Sequence, residues 1–449
     1  MRNLILALFI GAFATGCANI SQPRPISDPV EASTALNTMF DEWFELQLER
    51  NPIMATAIGD LRYNDQIPNF FAEANRIEAR EINQRYLERA RGISRDALAG
   101  QDRLGWDIFV RDREMAVEAE RFPGWMLAVN QFGNYGSFFA QLGSGRSIQP
   151  FREPKHYDDF LSRAARFPEL THTAIGNLRA GIAAGVVQPR AVVEKTIPQF
   201  AAHVVDDPEQ SVYWGPIAAL PDTFTVEERE RLTAAYRAMI MDTLVPAYDE
   251  MRAFLETEYL PAASDKVGML HLPDGRAWYA FQVKGQTTTD LTPEEIHAFG
   301  RFGGYSAFSE GWALYAESLG RELGVFTDPY QWYGRLADEQ LRAMRLVVDT
   351  GMHYYGWTRE EAIDYMKANS SMAETDVIAE VERYIVWPGQ ALNYKVGERV
   401  IRELRNEATA ALGDDFDVRA FHREVLTDGA LPLQVLQRKI REWIVGANL

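Results

Sequence analysis

The sequence predicts a mainly α fold, a large assembly of helices with one short β segment near 277–283. Three observations carry that expectation. Apolar residues recur at three- and four-residue spacings through most of the chain. Helix starts are signposted by capping boxes and by proline at the first helical position. No fixed-period repeat and no low-complexity stretch interrupts the pattern. The chain has 449 residues, 47% hydrophobic and 12% aromatic, enough for a sizeable core in two lobes or one large helical domain.

The first segment reads as a targeting signal, not as part of the fold. Arg2 supplies a minimal positive charge, and Leu4 to Phe13 is an apolar run too short to span a bilayer comfortably. It ends in Ala14-Thr15-Gly16-Cys17, small residues before the one cysteine in the chain, which resembles a bacterial lipoprotein box. Residues 1–17 are therefore expected to be a lipoprotein signal, 18–29 a Ser/Pro-rich tether, and 30–449 the helical domain. Acyl chains on Cys17 would make the membrane a partner. Asn19 after the cysteine points to the outer membrane, facing the periplasm. One cysteine allows no intrachain disulfide.

Val30 to Arg50 carries an apolar stripe of Leu36, Met39, Phe40, Trp43, Leu46 and Leu48, and Asn51-Pro52 ends it. Asn51 to Pro68 reads as loop-rich. Long polar helices are expected over Glu73–Ala99 and Asp102–Glu120, then a structured loop over Asn130–Pro150. Helices resume over Tyr157–Ala184, Arg190–Val204 and Thr225–Tyr259, the last capped by Thr225. Leu272-Pro273-Asp274-Gly275 is a turn, and the aromatic content of Ala277 to Val283 predicts a strand. Thr292-Pro293-Glu294-Glu295 is a strong helix start, yet Gly300 and Gly303-Gly304 stop that helix after about two turns.

The stretch Ala307–Glu317 reads as a helix capped by Ser306, with Glu310, Leu314 and Glu317 on one face. Its acids point to solvent or arginines, or they line a catalytic cleft. Asp328-Pro329 opens a long helix to about Thr350. There Leu341, Met344 and Val348 form an apolar stripe, and Arg342, Arg345 and Asp349 a polar one. Arg345 and Asp349 are spaced as an i, i+4 pair. Apolar neighbours on both sides imply that this polar stripe is partly buried and needs partners. Thr358 to Glu361 is a further capping box, Trp387-Pro388-Gly389 a break, and Gln390–Leu412, Val418–Thr427 and Leu433–Val445 close the chain as helices.

Net charge is −18, from 64 acidic and 46 basic residues, so nucleic acid is not expected as a partner. No phosphate loop, dinucleotide fingerprint or Gly-x-Ser-x-Gly elbow is present.

Several segments together resemble one family. These are Phe308–Glu317, Leu341–His353, Gly356-Trp357-Thr358 and Pro388–Lys395, with Asn51–Thr56, Gly59-Asp60 and Leu291–His297. They are similar to the bacterial domain-of-unknown-function 885 family. The resemblance runs from about residue 35 to the C-terminus and is most specific in the last third. It implies a relationship to zinc metallopeptidases of the gluzincin type, with a cleft-bearing, all-helical fold and activity on short peptides. It also implies Glu310 as the third zinc ligand. His353 and Tyr394 are then candidates for stabilising an oxyanion or holding a peptide carboxylate, against a helix-end histidine and a core-edge tyrosine. Behind them stand Glu317, Arg342, Arg345 and Asp349, with the arginines as clamps or as members of an ion-pair network.

The sequence departs from the family at the decisive place. Its seven histidines are His156, His172, His203, His271, His297, His353 and His422, and none begins a His-Glu-x-x-His helix. Zinc is the cofactor of relatives; here none is expected. The short helix at 293–300 abuts Arg301-Phe302-Gly303-Gly304-Tyr305, where relatives carry a long intervening stretch, so an internal segment has been lost at 300/301. Two functions stay open: a metallopeptidase-like envelope lipoprotein that has lost activity, or a non-catalytic helical protein binding peptides or cell-wall fragments.

Overall fold

The computed structural model describes residues 25–300 and 307–447, apart from the side chains of 298–300. Cys17, the tether to Arg24 and the Ser306 cap lie outside the described residues.

The N-terminal part begins with α1 (Pro29–Arg50), whose Asp28 cap accepts from the Val30 and Glu31 N–H groups. After the short α2 (Pro52–Ala57), helices α3 (Glu73–Arg91) and α4 (Gly100–Ala119) pack with α1 around Leu36, Met39, Ile82, Tyr86 and Phe109. The stretch 130–150 is not all loop. It contains α5 (Tyr135–Gly143), started by Asn134, whose side chain accepts from the Ser137 N–H. Tyr135, Phe139 and Leu142 are buried at helical spacing, a signal hidden by the surrounding Gly, Ser and Gln.

Helices α6 (Pro154–Ala165), α7 (Phe167–Ala184) and α8 (Arg190–Ala201) follow, then α9 (Gly215–Ala218). Beyond the Thr225 capping box runs a rod made of α10 (Val226–Ala238), α11 (Val245–Phe254) and α12 (Leu260–Ala262). Wider turns at Met239–Leu244 and Leu255–Tyr259 interrupt it, each just ahead of a proline, Pro246 or Pro261. Proline lacks the N–H and crowds the preceding turn, which a local widening relieves. These helices enclose a core of stacked aromatics, Tyr157, Phe160, Phe167, Tyr213, Tyr236 and Tyr248 among them.

Ala277–Val283 is helical, within α13 (Gly275–Thr287), which corrects the expected strand. Trp278, Tyr279 and Val283 are all buried on the side of the helix that meets the C-terminal core. Tertiary packing there outweighs the β preference of aromatic residues. Among the described residues, β pairing is confined to two single-residue bridges, Ile26 with Ile93 and Pro189 with Ser264.

Helix α14 (Pro293–Gly300) runs up to residue 300, and Thr292 and Glu295 cap its start reciprocally. Next come α15 (Phe308–Glu322), α16 (Pro329–Thr350), a wide turn at Gly351–Tyr355, α17 (Arg359–Asn369) and α18 (Glu374–Val386). The chain ends in α19 (Asn393–Leu412), α20 (Val418–Leu426) and α21 (Leu433–Ala447). Helix α15 packs along α19, with Tyr315 fully buried in the core shared with Ile401, Leu404, Phe421 and Ile440. Helices α16, α17 and α18 form an adjoining core around Met344, Val348, Met352, Met366 and Val381.

Candidate functional site: a cleft built on a buried polar spine

The cleft starts from two chain segments that meet as a minimal sheet. The Arg190 N–H donates to the Ser264 carbonyl at 2.7 Å, and the Ser264 N–H donates to the Gln188 carbonyl at 3.1 Å. Two adjoining cavities form around this pairing. The smaller, about 260 Å³, is bounded by Leu127, Val187, Met269, Trp278, His353 and Pro388. The larger, about 390 Å³, is bounded by Arg190, Glu194, Asp265, Trp357, Arg359 and Glu360. Pro189, Ser264, Lys266, Val267 and His271 line both. Combined, they reach the size of a small-ligand site; the smaller has a mixed lining, and the larger is bordered by most of the charged side chains.

What fixes these walls is the polar stripe of α16 and the turn that follows it. Arg345 donates through Nε and Nη2 to one carboxylate oxygen of Glu380 at 3.1 and 2.7 Å, and Nε also reaches Tyr384 Oη at 3.0 Å. Its guanidinium lies 4.5 Å from the Tyr394 ring centroid. Burial alone would raise the Glu380 pKa. The Arg383 hydrogen bond, the Arg345 charge and the Tyr384 hydroxyl bring it down to about 2.

One turn on, Asp349 is fully buried. It accepts from Tyr279 Oη at 2.5 Å, and both its oxygens lie 3.1 Å from the Gly389 N–H. Burial pushes its pKa up to about 7, against those hydrogen bonds. Gly389 has φ +82°, where an L side chain is strained, and the acid fixes the turn that presents Pro388 to the smaller cavity.

One turn further, His353 is also buried. Its Nε2 lies 2.8 Å from the Tyr384 carbonyl, so it carries the proton, and Nδ1 accepts from the Met269 N–H at 3.3 Å. Burial lowers its pKa to about 4. Gly268 lets the two segments close, since a Cβ there would stand 1.9 Å from the Met352 carbonyl oxygen.

The structure thus separates the residues singled out from the sequence. Arg345 and Asp349 do not pair with each other: Arg345 takes a carboxylate on α18, while Asp349 takes a phenol and a backbone amide. His353 lines the smaller cavity with both ring nitrogens engaged. Tyr394 is half-buried beneath Arg345. Arg342 pairs with Asp338 at 2.7 Å. On α15, Leu314 is buried but Glu317 is exposed, so the face shared in sequence is divided in space. Partial burial raises the Glu317 pKa, and the Arg342 charge works against that.

For Glu310, no side-chain hydrogen bond or ion pair is seen among the described residues. Nor do three His, Cys, Asp or Glu side chains converge there as metal ligands would. His422 bonds Tyr315 Oη at 2.8 Å, His172 meets Glu250 at 2.9 Å, and His297 Nδ1 meets Thr350 Oγ1 at 2.6 Å. The described donor set therefore does not fit a three-ligand zinc centre at Glu310.

Comparison with known proteins places the frame. The family model described as bacterial protein of unknown function, DUF885, matches residues 52–302 and 298–440. This chain belongs to that family. The two matched segments meet at 298–302, at the end of α14. Among solved structures, the fold matches the "putative lipoprotein from Colwellia psychrerythraea" at TM-score 0.79 and 21% identity, over 94% of this chain and 100% of that one. A protein of Shewanella oneidensis, described in the same terms and as of unknown function, matches at TM-score 0.66 and 14% identity, over 92% and 99%. No curated protein matches. No helix among the described residues is long and apolar enough to cross a membrane.

Sequence reasoning did not find Tyr279, Gly389, Glu380, Tyr384, Lys266 or Glu194. The first four complete the α16 stripe from 31 to 70 positions away, so no local pattern marks them. Lys266 and His271 flank Gly268-Met269, whose close packing against the turn after α16 is a tertiary feature.

Proposed function

We propose that this protein is an envelope lipoprotein, anchored through Cys17, that binds short peptides or peptide-like cell-wall fragments without cleaving them. On this reading it keeps the frame of a metallopeptidase-like family and has lost the zinc-bearing helix. One observation carries the binding half: two adjoining cavities, one of mixed lining and one bordered by charged side chains, on walls held by a hydrogen-bonded polar spine. Support for the lost segment comes from the two-piece family match that meets at 298–302. Without two imidazoles beside Glu310, no metal-bound water and no general base for it can be assembled from the described residues.

The test incubates the purified full chain, with and without added zinc, with di- to pentapeptides. Binding is read by calorimetry and cleavage by mass spectrometry. The expected result is saturable binding with intact peptide recovered in both conditions. Zinc-dependent cleavage abolished by Glu310→Ala would overturn the non-catalytic half. Failure of every peptide to bind would overturn the other.

A further inference from the structure

We propose that Lys266 and Glu194 read the two charged ends of a free, zwitterionic short peptide; the proposal rests on the peptide-binding reading above. It comes from the charges around the larger cavity. Arg190 is neutralised by Asp265 at 2.7 Å. Arg359 is shared between Glu360 at 3.2 Å and Glu382 at 2.8 Å. That leaves Lys266 and Glu194, which form no ion pair with any described residue. Glu194 sits one turn after Arg190 on α8, an ordinary pairing distance. Arg190 turns away instead, to Asp265 and to the Leu260 carbonyl at 3.2 Å. One ammonium and one carboxylate, on different elements of one concave site, complement a ligand carrying one charge of each sign.

The adjoining chamber extends the argument. Lys266 and His271 border both cavities, so a group held by Lys266 stands at the doorway between them. Burial against the wall, and then the Lys266 ammonium, lower the His271 pKa. Its ring therefore stays neutral near pH 7, able to hydrogen-bond without adding a second cation. The smaller chamber offers Leu127, Val187, Met269 and Leu272. This arrangement assigns the ligand's α-carboxylate to Lys266, its α-ammonium to Glu194, and the aliphatic side chain of its C-terminal residue to these apolar side chains of the smaller chamber. Trp357 supplies an aromatic wall beside the main chain.

Both side chains are exposed, so Lys266→Gln and Glu194→Gln should fold. Calorimetry with the purified full chain compares alanyl-leucine, its C-terminal amide and its N-acetyl form. In the parent protein, each cap is expected to weaken binding roughly tenfold, the scale of a charge-assisted hydrogen bond in a cleft. Amidation should cost nothing further in Lys266→Gln, nor acetylation in Glu194→Gln. Caps that leave the parent's affinity unchanged would overturn this assignment while leaving peptide binding intact. So would variants that remain as sensitive to the caps as the parent. If no peptide binds the parent, capped or free, the underlying reading fails and this one with it.

Discussion

Replacing Asp349 by asparagine tests whether the spine beneath the cleft is held as described. Burial raises this carboxyl from 3.8 to about 7. A raised folded-state pKa means that the native protein binds the proton more tightly than the unfolded chain. The contribution is therefore complete below about pH 4 and is lost as the pH rises through 7. A gap of roughly three units is worth about 4 kcal/mol, at about 1.4 kcal/mol per unit. His353 runs the other way. Its pKa falls from 6.5 to about 4, so its contribution is complete above 6.5 and is lost as the pH falls through 4, about 3 kcal/mol in all. Between about pH 4 and 6.5 the two slopes oppose and nearly cancel. Asp349→Asn retains a carbonyl for Tyr279 or Gly389 but removes one slope. Urea unfolding at a series of pH values from about 4 to 8 should then show the variant losing stability on acidification relative to the parent. The difference between the two proteins should change by about 4 kcal/mol across that window. A parent-minus-variant difference that stays constant with pH would refute the buried, protonated acid.

Three further outcomes follow from named contacts. Gly268→Ala places a methyl against the Met352 carbonyl, so it should cost about 1–3 kcal/mol in urea unfolding and weaken ligand binding in the smaller cavity. Arg345→Met leaves the half-buried Glu380 with Arg383 and Tyr384 alone, an expected loss of about 2–3 kcal/mol. Arg345→Lys should not restore it, because two nitrogens of the planar fork reach the carboxylate at once; equal stability of the lysine variant and the parent would contradict this. Cys17→Ser should move the protein from the membrane fraction to the soluble fraction on ultracentrifugation, and an unchanged distribution would remove the lipid anchor.

Where the sequence was legible, the information was local. The capping boxes at Thr225, Asp328 and Thr358, and the reciprocal pair at Thr292, start helices within a residue of their expected places. A cap's partner is three positions away, so four residues contain the whole interaction. The polar stripe on α16 was legible as a demand for partners but not as an answer. Spacing predicts an Arg345–Asp349 pair worth a few tenths of a kcal/mol on a solvated helix. In the folded chain a carboxylate gripped by two guanidinium nitrogens outcompetes it, and Asp349 settles for neutral donors because burial favours its protonated form. α13 was misread for the same reason. Its aromatic residues satisfy a strand preference locally, while the C-terminal core they enter exists only after folding.

Helix α15, which carries Glu310, is held by contacts with the C-terminal helices. Phe308 and Tyr315 are buried with α19, α20 and α21, and Glu322 pairs with Arg405 at 3.0 Å. All of those partners lie C-terminal to α15, within the described chain. Side chains with fewer such contacts follow immediately: Leu323, Val325, Tyr330 and Tyr333 are all exposed. Exposed apolar side chains grouped in this way mark a place that something else usually covers. The same division explains why the helix looked like a catalytic element in sequence. Residues that hold α15 to α19 and Glu310, the residue the family resemblance offers as a metal ligand, share one short motif, Phe308-Ser309-Glu310-Gly311-Trp312. Only the first set has its partners in the described chain. The motif therefore reports on packing that the described chain completes.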